Sequence, residues 1–523
     1  VDKYTMFTLE NMLFYDKTFN DKHTLGVTLL QSIQEDKKEN VNVAMENLPA
    51  DNLKYYDLGS GLVTNTIGSS MIKWNMASFM GRINYNYLGR YLLTVSARYD
   101  GSSRLADGHK WVLFPSAALA WRINEESFMS STSGWLDNLK LRLGFGKTGN
   151  SAVDPYQTKG TLSLIRYPFD NGGTPTIGYA PNAMANSLLT WETTDQWNLG
   201  IDFGVLRGRI NGTIDLYMQN THDLLLKRQL PVVSGFPDVL SNVGKTRNKG
   251  IEVSINSMNI NSKDFQWTTD LMLSSNKEEI VELYNGKNDD IGSKWFIGQP
   301  VNVHYDYRKV GIWQNTESDL AEMAKFAANG TEFAPGDIKI QDVNGDYKIT
   351  DADKQILGNP RPKLIASMVN TFNYKGFDLS VFLYASFGAM LYNDIYALEH
   401  CGRNGGVKVD YWTPNNPTNA YPRPSIDEER PIYITSTYYE KADFLRVKTM
   451  TLGYTLPKTL TNKFLVEKLR VYFTAQNPFI FTNYTGIDPE AAKVNSAGNP
   501  ETNGSGFGTP SVSSWIFGIN LTL

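Results

Sequence analysis

The chain has 523 residues, with 50 basic and 54 acidic side chains and a formal net charge of −4, and this near balance excludes the basic clustering of a nucleic-acid scaffold. Its single cysteine, Cys401, excludes an internal disulfide and a thiolate zinc site. Mean hydropathy is −0.34 and no apolar run reaches the roughly 18 residues of a membrane helix, yet 12% of residues are aromatic, which suits a transmembrane β-barrel or a glycan-binding all-β protein.

The chain opens on Val1-Asp2-Lys3-Tyr4, a charged segment that leads directly into strand-like sequence, so an export signal is expected to have been removed or to lie further upstream. A short connection near Phe19–Lys22 is followed by a long one near 37–73. Phe79, Ile83, Tyr85 and Tyr87 then alternate with Arg82, Asn84 and Asn86. Across the turn at Leu88-Gly89-Arg90, Tyr91, Leu93, Val95, Ala97 and Tyr99 alternate with Thr94, Ser96, Arg98 and Asp100. Charged residues set regularly opposite an apolar face indicate a wet interior, not a packed core.

Further along, Gly144-Phe145-Gly146-Lys147-Thr148-Gly149 hints at a phosphate loop, but Leu141 stands where the first glycine is needed, and the segment is expected to end a strand. A long connection near 149–190 precedes Trp197, Leu199, Ile201 and Phe203, which alternate with Asn198, Gly200, Asp202 and Gly204. After Val205–Gly208 the pattern resumes with Ile210, Ile214, Leu216 and Met218. Long connections follow near 222–246, 277–362, 391–437 and 482–510, with short ones near Asn261–Asp264 and Tyr374–Phe377. The last strand carries Trp515, Phe517, Ile519, Leu521 and Leu523 on one face, with Gly518, Asn520 and Thr522 on the other.

Outer-membrane barrels have short periplasmic turns and long extracellular loops. On that rule the chain is all-β, with about fifteen antiparallel membrane-spanning strands, a periplasmic C-terminus and a first strand that also runs inward. Strand-like stretches at 157–166 and 301–313 must then not span. An odd count cannot close an ordinary bacterial barrel, and plugged transporters have about 22 strands. The expectation is that residues 1–523 form the C-terminal part of such a barrel, with no plug domain, and that about seven strands and the plug precede Val1.

One loop motif carries metal chemistry. Asp342, Asn344, Asp346, Thr350 and Asp353 supply oxygens at positions 1, 3, 5, 9 and 12 of a calcium-type loop, with the Lys348 carbonyl at 7. Tyr347 replaces the usual glycine at position 6, and Asp353 replaces the usual glutamate at 12; the alternative is a solvated acidic loop. Five histidines (His23, His109, His222, His304, His400) show no metal spacing, and no nucleophile elbow occurs. Loop aromatics Trp295, Phe296, Tyr305, Trp313, Trp412, Tyr421 and Tyr433 could stack on sugars or meet a lid protein, or else pack within their own loops.

Several stretches, in order over most of the chain, resemble the SusC/RagA-type TonB-dependent transporters of Bacteroidetes. They include Phe79 through Tyr87 with Arg90-Tyr91-Leu92-Leu93-Thr94, Tyr99-Asp100-Gly101-Ser102-Ser103-Arg104, Phe114-Pro115-Ser116 and Trp121-Arg122-Ile123. Others are Trp191 through Gln196, Asp215-Leu216-Tyr217 to Leu225, and Trp412-Thr413-Pro414-Asn415-Asn416-Pro417. Near the end come Tyr438, Phe444-Leu445-Arg446-Val447-Lys448 and Leu452 through Pro457. The resemblance implies import of glycans or oligopeptides across the outer membrane, energised through TonB and assisted by a SusD-like surface lipoprotein lid. It implies outer-membrane lipids as surroundings and no enzymatic activity. It also implies that the plug and TonB-contacting segment lie outside this chain, and Leu523 stands where the family often ends in phenylalanine. A passive porin-like or structural barrel is the alternative function, and a soluble glycan-binding protein or hydrolase is a third.

Overall fold

Strict alternation of apolar and polar side chains has one efficient use in this chain, a continuous antiparallel sheet with a greasy and a wet face. The computed structural model describes residues 1–522 apart from 51, 53, 170–175, 394–407, 426–429, 462, 464, 465 and 491–510. Its main sheet has fifteen strands: β1 (Asp2–Phe19), β2 (His23–Glu46), β3 (Val63–Tyr87), β4 (Tyr91–Ser102), β5 (Trp111–Arg122), β6 (Leu136–Asn150), β7 (Glu192–Val205) and β8 (Ile210–His222). It continues through β9 (Lys245–Asn261), β10 (Phe265–Glu282), β11 (Leu364–Tyr374), β12 (Phe377–Phe387), β13 (Phe444–Thr455), β14 (Lys468–Thr482) and β15 (Ser514–Thr522).

Each strand pairs with its neighbours in the chain, so β1 and β15 run in the same sense. Among the described residues each of these two edge strands has a single partner, β2 and β14 respectively. Several connections at one end are tight. Leu88 and Gly89, and likewise Lys375 and Gly376, have left-handed backbones, as type I′ hairpin turns require. At Gly376 (φ 90°) a Cβ would also lie 2.9 Å from the Thr455 carbonyl oxygen, so glycine is needed there twice over.

The two strand-like stretches expected not to span lie outside this sheet. Thr161–Tyr167 pairs with Thr176–Ala183 in a separate hairpin. His304–Asp306 pairs with Gln355–Gly358, and Lys309–Ile312 with Ile338–Ile340. The expected connection at 37–73 is corrected: β2 and β3 remain paired as far as Glu46 and Val63, leaving only 47–62 between them. Gln34 through Asn40 are polar on both faces, so the apolar alternation that marks a span lapses there while the ladder of hydrogen bonds continues. The glycine-rich segment Gly144–Gly149 is extended β6 backbone, with Lys147 Nζ 3.8 Å from Asp195 Oδ1.

Apolar packing gathers instead among the connections opposite the tight turns. Pairing between β5 and β6 stops at Ser116 and Gly146, and a cluster of Leu105, Phe114, Val153, Leu189 and Trp191 sits at the split beyond it. Trp191 Nε1 donates to the Lys110 carbonyl at 2.8 Å, and Ala106 N–H to the Leu189 carbonyl at 3.1 Å, joining separate loops across it. The connections 283–363 and 388–443 fold together into one lobe. Its centre is Ile312, Ile338, Ile340, Trp412, Ile434 and Tyr438. A second cluster joins Trp313 to Met323 and Phe326 of helix α1 (Glu317–Ala328), which starts where the Thr316 hydroxyl accepts the Asp319 N–H. Burying each such side chain stabilises the lobe by roughly 1.5–3 kcal/mol.

Candidate functional site

Register across the sheet sorts the side chains into rows. Val27, Ile83, Val95, Ala117, Phe145, Trp197 and Met218 lie side by side across β2 to β8. One residue along each strand, the adjacent row is Thr28, Arg82, Ser96, Ser116, Gly146, Gln196 and Gln219. The first row belongs to the outward apolar face, where Ile83, Val95, Trp197 and Met218 are exposed. The second is hydrogen-bonded across strands, Ser96 Oγ to Ser116 Oγ at 2.7 Å and Gln219 Nε2 to Gln196 Oε1 at 3.1 Å.

Two tiers of aromatic rings bound the apolar face. Beside the tight turns, His23, Tyr87, Tyr91 and Trp121 follow one another at centroid spacings of 4.8, 6.2 and 6.5 Å. Further along the strands, Trp111 lies 4.9 Å from Tyr99 and 6.3 Å from Phe79. Eight residues separate Tyr91 from Tyr99, and ten separate Trp111 from Trp121. At ~3.3 Å per residue and a tilt of ~40°, the tiers stand about 20–25 Å apart, close to the height of an outer-membrane apolar band.

Charges on the polar face hold one another. Arg98 Nε donates to Asp100 Oδ1 at 2.7 Å and its Nη2 to Ser78 Oγ at 3.0 Å. Arg142 spans three strands, reaching Asp202 at 2.8 Å and Asp215 at 3.0 Å. Arg470 Nε donates to Asp378 Oδ1 at 2.8 Å. At the far end of β13, buried Arg446 pairs with Asp488 at 2.5 Å and with Glu490 at 3.2 Å, and Lys448 pairs with Glu490. Burial opposes charge on Asp488, but the Glu490 and Ser511 amides and the Arg446 guanidinium outweigh it and hold its carboxyl below the ordinary value. Both stems of the last long connection are thereby tied to the wall.

The expected loop aromatics divide by burial. Trp313 is 0% exposed, Trp412 6% and Phe296 8%, so these three rings pack within their own loops, one of the two alternatives the sequence left open. Trp313 packs against Phe326 and Phe333, Trp412 donates to Gln314 Oε1 at 2.8 Å, and Phe296 lies against Tyr305. Trp295, Tyr421 and Tyr433 are half-buried. Trp295 closes a small turn with Asp290, Tyr421 accepts the Trp412 N–H at its carbonyl, and Tyr433 packs on Tyr307. His400 and Cys401 lie outside the described residues.

In the calcium-type loop, Asp342 accepts the Gly345 and Tyr347 amides, and Asn344 the Asp346 amide. Asp346 accepts the Lys348 amide, and Thr350 caps a short turn that ends in Asp353. Asp353 is 0% exposed, with its two oxygens on the Val343 and Thr350 amides. Among the described residues no three acidic, histidine or cysteine side chains gather closely enough to hold a metal. Elsewhere in the lobe, Lys309 donates to the Ala420 carbonyl at 2.7 Å, and burial pulls its ammonium down to about 8.

A family profile described as TonB dependent receptor-like, beta-barrel, matches residues 3–477. The chain belongs to this TonB-dependent receptor family. The TonB-dependent receptor P3 of Formosa agariphila is 32% identical, over 98% of this chain and 52% of its own length. The TonB-dependent receptor SusC of Bacteroides thetaiotaomicron is 35% identical, over 79% of this chain and 41% of its own. A structure of the RagAB peptide transporter superposes with a TM-score of 0.82 at 23% identity, over 99% of this chain and 56% of that one. The resemblance seen in the motifs is therefore borne out, and the chain spans about half the length of the curated relatives it matches.

TonB-dependent receptors are outer-membrane proteins, which explains an exposed apolar belt on a chain whose average composition is polar. In this receptor the sequence motifs point to more than they first reveal. Arg446 and Lys448 lie within the motif Phe444–Lys448, yet their partners Asp488 and Glu490 are 42 residues away and carry no spacing signal. Arg142, Asp202 and Asp215 each occupy a polar position opposite an apolar one, and only strand register shows that they meet.

Proposed function

We propose that this chain forms most of the wall and outer mouth of a TonB-driven importer of glycans or oligopeptides. The observation that carries this reading is the two-faced sheet, with a belt for lipid outside and a self-paired polar surface inside, in a chain of the TonB-dependent receptor family. An unpaired strand edge within lipid leaves backbone groups without partners. In the whole protein, β1 and β15 are therefore closed by further barrel strands, about 22 in all, around a plug that meets TonB. The tight turns are periplasmic, as is the C-terminus, and the long connections are extracellular. There the lobe of 283–363 and 388–443 is the natural seat for a SusD-like lipoprotein lid. Chemistry on the cargo is left to other proteins; this one binds and releases it.

The test is uptake by cells of the source bacterium with the gene for the whole receptor deleted and restored. Loss of growth on one glycan or peptide pool, with the same loss when TonB is deleted, is the expected result. Uptake that persists without TonB would instead establish a passive pore. For the loop 342–353 we propose calcium as a stiffening ion, held by Asp342, Asn344, Asp346, the Lys348 carbonyl, Thr350 and Asp353, once Asp353 exchanges its amide partners for the ion.

A further inference from the structure

A cavity of about 490 Å³ lies at the outer end of the wall, where β3 runs past the end of β4. The β3–β4 ladder stops at Met76 and Ser102, so residues 71–75 of β3 present an edge that other groups complete. Asn75 N–H donates to Ser103 Oγ at 2.8 Å, and Lys73 N–H to the Tyr156 hydroxyl at 3.2 Å. Tyr156 holds a left-handed backbone (φ 73°), an uncommon conformation for a bulky residue, and the turn that follows brings Thr158 and Lys159 to the cavity wall.

The lining has two distinct chemistries. Trp74 and Tyr156 supply aromatic rings, with hydroxyls from Ser103, Thr158 and Ser187 around them. Lys73, Lys110 and Lys159 stand against a single acid, Asp107, so the lining is net positive in a chain whose net charge is −4. Lys73 is paired with Glu35 at 2.9 Å and Lys110 with Asp107 at 2.5 Å. Lys159 has no ion-pair partner among the described residues. Against Trp74, the Arg104 guanidinium sits 3.9 Å from the ring centroid, with a buried Nε that has no hydrogen-bond partner. A cavity of ligand size thus has Lys159 in its lining outside any ion pair, and Trp74 with the Arg104 guanidinium against its ring.

We infer that this cavity binds an acidic sugar unit of an oligosaccharide, its apolar ring face on Trp74 or Tyr156 and its carboxylate or sulfate toward Lys159. A carboxylate of a peptide would use the lysines equally well, but it would leave the paired rings and the surrounding hydroxyls without a role. A sugar ring uses all three: CH groups on the aromatics, hydroxyls on Ser103 and Thr158, the anion on the ammonium. The inference rests on the importer reading and narrows its cargo.

The test is calorimetric binding by the whole receptor, purified in detergent, of tetragalacturonate, a sulfated carrageenan tetrasaccharide, neutral galactotetraose and tetraglutamate. At least one acidic oligosaccharide is expected to bind tenfold or more tighter than galactotetraose and tetraglutamate. That affinity is expected to fall at least tenfold in Lys159→Gln and in Trp74→Ala, and to be largely kept in Lys159→Arg. Heat-modifiable migration on gels establishes that each variant is folded. Binding by neither acidic sugar, equal binding of the neutral one, equal or tighter binding of tetraglutamate, or indifference to both substitutions overturns the inference. TonB-dependent uptake of a neutral glycan or a peptide, with no binding here, would overturn this inference alone; absence of any uptake would overturn the importer reading.

Discussion

The fifteen-stranded wall and the lobe formed by the described residues of 283–363 and 388–443 follow opposite rules of burial. In the wall, large apolar side chains such as Phe79, Ile83, Leu452 and Phe517 are exposed, while Arg142, Asp202 and Asp215 are sheltered on the other face. In the lobe, Trp313, Phe326 and Ile338 are fully buried, Lys339 is paired with Asp319, and buried Asp353 and half-buried Lys309 are held by backbone amides and a carbonyl. One chain thus carries two solvents' worth of design. The wall is held by continuous hydrogen-bond ladders with an apolar belt outside, and the lobe by packing. The two should therefore fail separately.

The largest separation is expected from Trp313→Ala. It empties a site that Met323, Phe326 and Phe333 surround, at a cost of about 3–5 kcal/mol. Limited proteolysis should then cut within 283–363 while the heat-modifiable migration of the sheet is unchanged. Simultaneous loss of both would mean that lobe and wall form one cooperative unit.

A smaller effect, confined to the wall, is expected from a charge on alternate faces. Val95→Arg places a guanidinium in the apolar row and should cost about 2–4 kcal/mol near the middle of the band. Ser96→Arg, one residue away, faces the polar row and should fold with nearly wild-type yield. Folding yields into lipid vesicles measure the pair, and equal yields would contradict the assignment of faces.

This contrast also explains what could be read from the sequence. The wall was legible because its two solvents act on a period of two, so Val95 and Ser96 declare their faces without any partner being known. The same rule failed at 37–73, since Gln34 through Asn40 are polar on both faces while β2 and β3 stay paired, and the contrast that makes a span visible is lost there. The lobe was illegible in detail. A tryptophan such as Trp313 looks the same in a loop whether it waits for a sugar or fills a core, and only Phe333 with Met323 and Phe326 of α1 decide. Arg446 with Asp488 and Arg104 with Trp74 are likewise encounters between distant segments, and no local period encodes them.

Within the lobe, Lys309 supplies a finer probe. Folding lowers its ammonium to about 8, so between that pH and the ordinary lysine value near 10.4 the unfolded lobe binds more protons than the folded one. Stability due to this group is therefore flat below about pH 8 and rises with pH through that window. Tyr307, pushed up to about 12 by burial and by Asp351, has the opposite slope, but only above its ordinary value near 10. Thermal scans should show the lobe transition moving up by about 2–4 °C between pH 7.5 and 9.5. Lys309→Met should abolish that dependence while leaving the wall unaffected.

Calcium at 342–353 should have the smallest effect of all, and the reason is structural. The loop already takes its turns from the Asp342, Asn344 and Asp346 side chains, and Tyr347 and Ile349 anchor it against the Trp313 cluster. An ion therefore has little left to organise, and it must draw Asp353 away from two good amide hydrogen bonds to complete its shell. Affinity in the range of ~10⁻⁴–10⁻³ M, the range of weak extracellular calcium modules, follows from that competition. Near-millimolar calcium would then stabilise the lobe by about 1 kcal/mol, and the wall not at all. Lobe melting with and without chelator measures this, and Asp342→Ala should erase the difference. A calcium response that survives Asp342→Ala, or none in the wild type, would leave 342–353 as a turn held by its own amides.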